Sequence, residues 1–369
     1  MGEKILYLSF NSDKEIGVYK KINFQEKAIK KLNDKLYRTY VQNNYFYIND
    51  IKLNKYSIEK GTILKVIRKV ETFFILKKIR EYIKEKKITI IYIRYYRSNA
   101  LFLNFLKYIK KIYSIKIILE IPTYPYDREV NKINISLFID KMYRKNLYKY
   151  VDKIVTYSED KIIWNIPCIN ISNGIDLEEI NLIEKNTHNG INFISVANYS
   201  FWHGIDRFLY SLLQYKKNKG KEKIIFYIIG EGRETPKLKK IVEDNIELQD
   251  MVMFLGLKLG EDLDKIYNDS DIAVGSLGRF RSGLDIIKPL KNREYCAKGL
   301  PMIYSETDLD FEDKNFVYKV SHDESLIDIE KIIEWYKNLK VSSNEIREYS
   351  KQFSWDLQMK KVLDEIKEL

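Results

Sequence analysis

Two hydrophobic patterns alternate along the first half of the chain. Short apolar runs bounded by charged residues predict buried strands at 4–10, 88–93, 115–121, 153–156 and 166–171. Longer segments, in which apolar residues recur every three or four positions, predict helices at 19–36, 63–86, 100–112 and 135–150. Strands that alternate with helices predict a parallel sheet with helices on both faces.

The same alternation begins again near residue 190. Strands are predicted at 191–197, 223–230, 252–255, 272–275 and 301–305. Helices are predicted at 205–217, 236–247 and 261–268, and a further helix contains 293–298. This second series predicts another doubly wound α/β domain, in which ligands bind at the carboxyl ends of the strands.

The two series predict two Rossmann-like, doubly wound domains, at 1–178 and 190–345, that face each other across a cleft. The polar stretch 176–190 is the expected linker between them. The tail of the chain has an amphipathic pattern, with an apolar face formed by Trp355, Met359, Val362 and Ile366. We therefore expect a helix at 350–369 that packs back on the N-terminal domain.

The numbers of cysteines and histidines bear on the cellular compartment of the protein and on whether it binds a metal. The chain has only two cysteines, Cys168 and Cys296, and three scattered histidines. That usage favours a reducing compartment and makes a metal centre hard to assemble. No apolar window approaches the ~20 residues of a membrane-spanning helix, and the first ten residues are typical of a strand rather than of a signal peptide. We expect a cytoplasmic protein without a metal.

Charge is distributed very unevenly along the chain. Residues 1–150 contain 33 Lys and Arg against 14 Asp and Glu, a net of +19, whereas 151–369 contain 31 against 38, a net of −7. The basic helices at 63–86 and 100–116 either lie on an anionic membrane surface or are core helices with a solvated basic face. The pI of 9.1 also suggests nucleic acid, but no nucleic-acid-binding module is recognisable, so none is expected as a partner.

The densest motif in the chain is 289–301. Pro289 can begin a helix, which places Lys291 near a helix N-terminus, where backbone N–H groups favour an anion. Glu294 follows, and a carboxylate can accept hydrogen bonds from a ribose diol. The alternative is an ordinary capped helix that enters the next strand.

Three further loops follow predicted strands. The loop at 196–206 contains Asn198 and His203, and the loop at 275–285 contains Arg279 and Arg281, whose planar guanidinium groups suit phosphate oxygens. The third is a Gly-x-Gly turn, Gly230 and Gly232. A helix-capping histidine, a solvated loop and a tight turn are the corresponding structural alternatives.

Together these segments resemble the donor site of retaining GT-B glycosyltransferases, in particular glycosyltransferase family 4 enzymes that act on surface polysaccharides. That family carries a Glu, seven residues, and a second Glu followed by an aromatic residue, Ala, Gly and Pro. Glu294 matches the second Glu, which binds ribose, and Lys291 matches a lysine near the diphosphate. The first Glu falls at Ile286 and is missing, although the neighbouring Asp285 could substitute for it.

The resemblance implies a site in each domain. It assigns catalytic roles to Lys291, His203 and Arg281. It assigns nucleotide-sugar binding to Glu294, Asn198, Arg279, Gly230, Gly232, Leu257, Asp285 and Leu290. On the acceptor side, in the N-terminal domain, the expected residues are Arg94, Thr123 and Gly17.

The function implied by the resemblance is transfer of a sugar from a UDP- or GDP-sugar to a saccharide or lipid-linked saccharide in surface polysaccharide synthesis. Retention of configuration is expected, with no metal and no cofactor besides the donor substrate. Three alternatives stay open: a catalytically inactive binding or scaffold protein of GT-B fold, which Ile286 favours; a nucleic-acid-binding protein; and an epimerase or phosphorylase on the same architecture.

Overall fold

A computed structural model describes residues 2–57, 62–129 and 134–369. The chain divides into two compact units. Unit 1 comprises Met1–Ser172 with Trp355–Leu369, and unit 2 comprises Asn173–Ser354. Both are α/β units built on largely parallel sheets, as the alternation of strand and helix patterns predicts.

Within the described residues, unit 1 contains a nine-stranded sheet. Its strands are β1 (Ile5–Leu8), β2 (Leu36–Gln42), β3 (Tyr45–Ile48), β4 (Ile51–Lys55), β5 (Ile90–Arg94), β6 (Lys116–Ile121), β7 (Lys153–Thr156), β8 (Ile162–Ile163) and β9 (Ile166–Asn170). They lie in the order β4-β3-β2-β1-β5-β6-β7-β9-β8. The run from β2 to β9 is parallel, and β3, β4 and β8 add antiparallel edges.

Helices cover both faces of this sheet because successive strand residues point to opposite sides. The helices of unit 1 are α1 (Ile16–Leu32), α2 (Thr62–Lys86), α3 (Ala100–Ile112), α4 (Ile135–Arg144) and the C-terminal α12 (Trp355–Lys367). Leu6 and Ile91 pack in the core formed with α2 and α3. Ile5 and Ile90 pack in the core formed with α1 and α12, and the predicted apolar face of the C-terminal helix is buried there.

Two expectations for unit 1 are wrong in detail. The helix predicted at 19–36 ends at Leu32, and 36–55 forms β2, β3 and β4. Asn43 and Asn44 have φ of 50° and 61° in the two-residue turn between β2 and β3, as Asn favours in such turns, and the aromatic and β-branched residues on either side suit strands. The helix predicted at 135–150 ends at Arg144, and a short 3-10 helix follows.

Unit 2 is built on a six-stranded, fully parallel sheet. Its strands are β10 (Ile191–Val196), β11 (Ile224–Ile229), β12 (Val252–Gly256), β13 (Ile272–Val274), β14 (Met302–Tyr304) and β15 (Val317–Lys319). They lie in the order β12-β11-β10-β13-β14-β15, which is the order of dinucleotide-binding folds. The direction of winding reverses between β10 and β13, and ligands of such sheets bind at that point.

The helices of unit 2 connect these strands. They are α5 (Ile205–Lys217), α6 (Thr235–Glu243), α7 (Ile246–Gln249), α8 (Gly260–Asn268), α9 (Leu290–Lys298), α10 (Ile329–Asn338) and α11 (Ser343–Ser350). The single helix predicted at 236–247 is thus two helices, α6 and α7. The doubly wound class predicted from the pattern is confirmed in both units.

Candidate functional site

The loops that follow β10 and β13 touch at the carboxyl edge of the unit 2 sheet. The backbone N–H of Leu277 donates to the carbonyl oxygen of His203 at 2.8 Å. Gly204 has a φ of +63°, and a Cβ placed on it would lie 2.5 Å from the backbone nitrogen of Gly278. These two glycines therefore let the loops at the switch point pack as one surface.

The Gly-x-Gly turn after β11 packs against the same surface. A Cβ on Gly230 would lie 2.2 Å from the carbonyl oxygen of Ala197, and one on Gly232 would lie 2.2 Å from backbone atoms of Tyr199. Both distances are far below van der Waals contact. Close packing of the turn on the β10 loop thus requires both glycines, so their presence does not itself indicate approach of a ligand.

His203 occupies the expected loop but is neutral. The N–H of Ser200 donates to His203 Nδ1 at 2.9 Å, so the neutral ring carries its hydrogen on Nε2. Burial, together with the charges of Lys291 and Arg279, lowers the pKa of His203 to about 2. His203 therefore offers an uncharged N–H donor at this loop, and its expected role at a diphosphate stays a prediction.

Lys291 lies in the first turn of α9, directly after the helix begins at Leu290. Its Nζ is buried and has no hydrogen-bond partner among the described residues. Burial lowers the pKa of Lys291 to about 8, although the charge of Glu306 opposes this. A buried ammonium group short of partners, at a helix N-terminus, is suited to receive an anion.

Glu306 is a site residue that the sequence analysis missed. It follows β14, its side chain has no exposure to solvent, and its Oε2 has no hydrogen-bond partner among the described residues. Burial raises the pKa of Glu306 to about 7, against the opposing charges of Lys291 and Arg279. A carboxylate at the carboxyl end of a predicted strand was the signal that could have found it.

The two loop arginines differ in their surroundings. Arg281 pairs with Asp206 at 2.8 Å and with Glu324 at 2.6 Å, and it also donates to the carbonyl oxygen of Phe201. Because its guanidinium group is already committed, the expected catalytic role of Arg281 at a diphosphate is not supported. Arg279 is the arginine whose charge lowers the pKa of both His203 and Lys291.

The remaining predicted donor-site residues lie at or near the surface of unit 2. Asn198 and Glu294 are exposed, and Leu290 is half-buried at the start of α9. Leu257 follows β12 and is 72% exposed. The structure places these side chains on the loops and helix that surround the switch point, and their binding roles stay predictions.

Asp285 and Ile286 lie on a short stretch that pairs with the segment after β14. The backbone oxygen of Asp285 accepts from Thr307 N at 2.8 Å, and Ile287 N donates to Thr307 O at 3.0 Å. The Asp285 carboxylate accepts a hydrogen bond from His322 Nε2 at 2.9 Å. Asp285 is thus engaged at the surface, and Ile286 is 56% exposed.

The three residues predicted on the acceptor side lie in different settings in unit 1. Arg94, at the end of β5, is buried and paired with Glu120 at 2.8 Å, so its guanidinium is not presented to an anionic ligand. Thr123 is half-buried after β6, on the adjacent strand. Gly17 lies in the first turn of α1 rather than in a loop, and a Cβ there would meet no atom within 4 Å.

The described residues also bear on metal binding and on membrane insertion. Within 2–57, 62–129 and 134–369, no group of three or more His, Cys, Asp or Glu is arranged to hold a metal ion. Across the same ranges, every helix is too short or too polar to cross a membrane.

Comparison with known proteins bears on the class of protein. Residues 178–309 match the family described as Glycosyl transferases group 1. That range includes His203, Arg279, Lys291, Glu294 and Glu306. No curated protein sequence matches the chain.

Solved structures resemble the chain over its whole length. A glycosyltransferase from Rickettsia africae ESF-5 has a TM-score of 0.62 at 15% identity, over 99% of this chain and 98% of that one. The lipopolysaccharide outer core galactosyltransferase WaaB has a TM-score of 0.64 at 13% identity, over 99% of both chains. The pneumococcal O-GlcNAc transferase GtfA, solved with UDP and GlcNAc, has a TM-score of 0.50 at 13% identity, over 79% of this chain and 59% of that one.

These likenesses confirm the predicted GT-B fold class. Together with the group 1 domain at 178–309, they support a glycosyltransferase, as predicted from the sequence.

Proposed function

We propose that this chain transfers a sugar from a nucleoside diphosphate sugar, with the donor held at the switch point of unit 2. The observation that carries the proposal is the buried, unpartnered Nζ of Lys291 at the N-terminus of α9. A diphosphate supplies the negative charge that this ammonium group lacks. The adjacent backbone N–H groups of the helix favour the same ligand.

Each residue of the cluster has a proposed role. Lys291 and Arg279 neutralise the diphosphate as it leaves, and the Nε2–H of His203 donates to one of its oxygens. Such groups act as preorganised electrostatic stabilisers, because their positions are fixed before charge develops. Glu294 accepts hydrogen bonds from the ribose hydroxyls. We propose that these side chains perform the neutralisation without a metal ion, and with retention of configuration.

The substrates are proposed from the relatives. GtfA was solved with UDP and GlcNAc, so UDP-sugars are the first donors to test and GDP-sugars the second. WaaB acts in the lipopolysaccharide outer core, which supports a saccharide or lipid-linked saccharide acceptor in surface polysaccharide synthesis. The two free cysteines, Cys168 and Cys296, suit the cytoplasm.

The competing function is a GT-B-fold binding protein without turnover, which Ile286 favours. Thermal unfolding with UDP, GDP and their sugars tests binding, since a ligand at ~100 times its dissociation constant adds ~2.7 kcal/mol. Release of nucleoside diphosphate and formation of a glycosidic linkage test turnover. Binding without turnover on a range of saccharide acceptors supports the binding protein, and no binding of any nucleotide contradicts the proposed site.

A membrane partner is proposed from the exposed faces of unit 1. On α4, three large apolar side chains are exposed beside the polar Ser136 and Lys141: Ile135 is 75% exposed, Phe138 65% and Met142 47%. The buried side of the helix contains Leu137 and also Asp140, which accepts from Ser98 N at 2.6 Å and pairs with Arg144. Exposed apolar side chains and a buried carboxylate invert the usual pattern of a surface helix, which buries its apolar stripe.

The first half of α2 has the same inverted pattern. Val66, Val70 and Phe73 are all more than half exposed. Glu71 is buried and accepts from Ser57 N at 2.8 Å. Apolar exposed stripes in a segment with a net charge of +19 suit an anionic lipid surface, because acyl chains receive the apolar groups and headgroups attract the lysines.

Vesicle sedimentation tests the membrane proposal with a matched pair of variants. Ile135→Asp, in unit 1, should weaken binding to vesicles of phosphatidylglycerol and phosphatidylcholine. Ile246→Asp changes an isoleucine of unit 2 that is equally exposed, at 76%, and should leave binding unchanged. Equal binding by both variants and the wild-type chain contradicts the proposal.

A further inference from the structure

Glu306 directly precedes Thr307, the residue that pairs with the position at which the resembled family carries its first Glu, Ile286. The segment after β14 pairs with the stretch that contains Ile286, through the two hydrogen bonds between Thr307 and its neighbours at Asp285 and Ile287. Ile286 is 56% exposed, whereas the preceding residue of the partner segment, Glu306, is fully buried. The fold therefore brings a second carboxylate to the neighbourhood from which one is missing in the sequence.

Glu306 is also incompletely satisfied. Its Oε1 accepts a long hydrogen bond of 3.4 Å from Asn292 Nδ2, and its Oε2 has no hydrogen-bond partner among the described residues. A buried carboxylate normally collects several short hydrogen bonds, because leaving an oxygen without one is costly. This arrangement leaves a strong acceptor unused next to the Lys291 ammonium.

The rest of the cluster supplies donors. Lys291, Arg279 and the Nε2–H of His203 can each donate a hydrogen bond, and they suit the oxygens of a diphosphate. The sugar of a nucleoside diphosphate sugar presents hydroxyl groups, each with a hydrogen that requires an acceptor. Glu306 Oε2 is a buried acceptor that the diphosphate itself, having no hydroxyl hydrogen, would leave unsatisfied.

We propose that Glu306 accepts a hydrogen bond from a hydroxyl group of the transferred sugar, in place of the family carboxylate that is Ile286 here. The proposal rests on the proposed donor site in unit 2. Glu306 then selects the complete sugar nucleotide over the nucleotide alone, whereas Lys291 and Arg279 hold the diphosphate that both ligands share.

A purely electrostatic role is the alternative to be separated. Glu306 also carries charge that opposes Lys291 and Arg279, so its removal could alter diphosphate binding alone. Glu306→Gln removes the charge and keeps the shape. Glu306→Asp keeps the charge and withdraws the oxygens by one methylene. If Glu306 only balances charge, the Asp variant binds as the wild type does; if it contacts the sugar, both variants lose the sugar contact.

Calorimetric titration with UDP, UDP-glucose, GDP and GDP-mannose tests the proposal. The wild type should bind either UDP and UDP-glucose or GDP and GDP-mannose. Glu306→Gln and Glu306→Asp should each lower the affinity for the sugar nucleotide by about 10-fold or more, which corresponds to the loss of one charged hydrogen bond. The affinity for the nucleoside diphosphate without the sugar should change by less than about 3-fold. Equal changes for both ligands, or none, overturn the role of Glu306.

Two controls keep the result interpretable. Glu312→Gln, an exposed carboxylate of the same unit that pairs with Lys319, should leave both affinities unchanged, and the unfolding midpoints should show that each variant folds. Asp285→Asn is the competing arm: selective loss of sugar nucleotide binding there, with none in the Glu306 variants, assigns the contact to Asp285 and overturns the proposal. A wild-type chain that binds none of the four ligands instead contradicts the proposed donor site itself.

Discussion

Glu120 in unit 1 and Glu306 in unit 2 are both carboxylates with no exposure to solvent, near the carboxyl edge of their sheets. Glu120 accepts from Tyr157 OH at 2.7 Å, from Arg94 at 2.8 Å and from Tyr92 OH at 3.0 Å. Glu306 accepts a long hydrogen bond of 3.4 Å from Asn292, and its Oε2 has no hydrogen-bond partner in the part of the chain that the structure describes. Equal burial thus comes with very different hydrogen bonding.

The pKa values respond accordingly. Burial raises the pKa of each carboxyl, but at Glu120 the charges of Arg94 and Lys21 and the tyrosine hydroxyls outweigh it, and the pKa is lowered. At Glu306 burial prevails and the pKa rises to about 7. A buried charged group with all its hydrogen bonds formed within the chain stabilises the fold. A buried charged group that lacks hydrogen bonds within the chain can form them with a ligand. The difference separates the framework of unit 1 from the proposed site of unit 2.

The largest expected effect is the loss of stability when Glu120, the carboxylate with several short hydrogen bonds, is replaced. Glu120→Gln leaves Arg94 buried without its counter-charge, and we expect the free energy of unfolding to fall by about 3–5 kcal/mol, as for other broken buried pairs. Denaturant titration of the variant measures this. Nucleotide affinity, measured on the folded protein, should not change. A loss below about 1 kcal/mol would show that the network is not structural.

The second prediction is that replacing Lys291 weakens ligand binding but stabilises the fold. Lys291→Met should weaken nucleoside diphosphate binding by about 100-fold, the loss of a strong charged hydrogen bond. The same change should raise the free energy of unfolding at pH 7 by about 1–3 kcal/mol, because the methionine is buried without a charge and because Glu306, whose pKa burial raises to about 7, can bind a proton once its counter-charge is gone. Paired titration calorimetry and denaturant unfolding check both. Weaker binding with lower stability would indicate that Lys291 is framework.

The pH dependence follows from the lowered pKa of Lys291. The pKa is about 8 in the folded chain against 10.5 for an unperturbed lysine, because of burial. Between these values the unfolded chain binds more protons, so the cost of the buried lysine is present at neutral pH and is relieved as pH rises through this window. The stability gained by Lys291→Met should shrink over the same window, and the wild-type affinity for a diphosphate should fall once pH exceeds the pKa of Lys291 in the complex.

Sequence patterns predicted most of the elements that position the site. The helix at 205–217 matches α5, and the strand at 153–156 matches β7, because both have apolar positions with an unambiguous period. The strands in 36–55 were missed because their apolar positions do not alternate regularly with polar ones, as the runs Tyr40–Val41 and Tyr45–Ile48 show. The helix N-terminus at Lys291 was predictable because proline, lysine and glutamate lie within one local motif.

Local motifs could not reveal which charges are already satisfied. Arg281 finds its carboxylates at Asp206 and Glu324, far away in sequence. Arg94 finds Glu120 on the neighbouring strand. Glu306 resembles any solvated loop carboxylate until the pairing of Thr307 with the Ile286 stretch buries it. Long-range pairing decides whether a charge belongs to the framework or to a site, and a single sequence does not encode that pairing in any local pattern.

The smallest effects on stability and binding are expected for two arginines that lie in one helical turn. Arg279 and Arg281 lie in the same 3-10 helix, Arg279–Ser282, and Arg281 is fixed there by two carboxylates. Arg281→Gln should lower the free energy of unfolding by about 1 kcal/mol, because Glu324 is exposed and its ion pair is screened. Diphosphate affinity should change by less than about 3-fold.

Arg279→Gln should have the opposite profile. Its charge acts on His203, Lys291 and Glu306, so we expect a loss of about 10-fold in nucleoside diphosphate affinity. Stability should change little or rise slightly, since one of several like charges in the cluster is removed. Titration calorimetry and thermal unfolding of the two variants side by side give the answer. If Arg281→Gln weakens binding as much as Arg279→Gln does, the ion pairs of Arg281 must open to admit the ligand, and the two arginines do not have the different roles proposed for them.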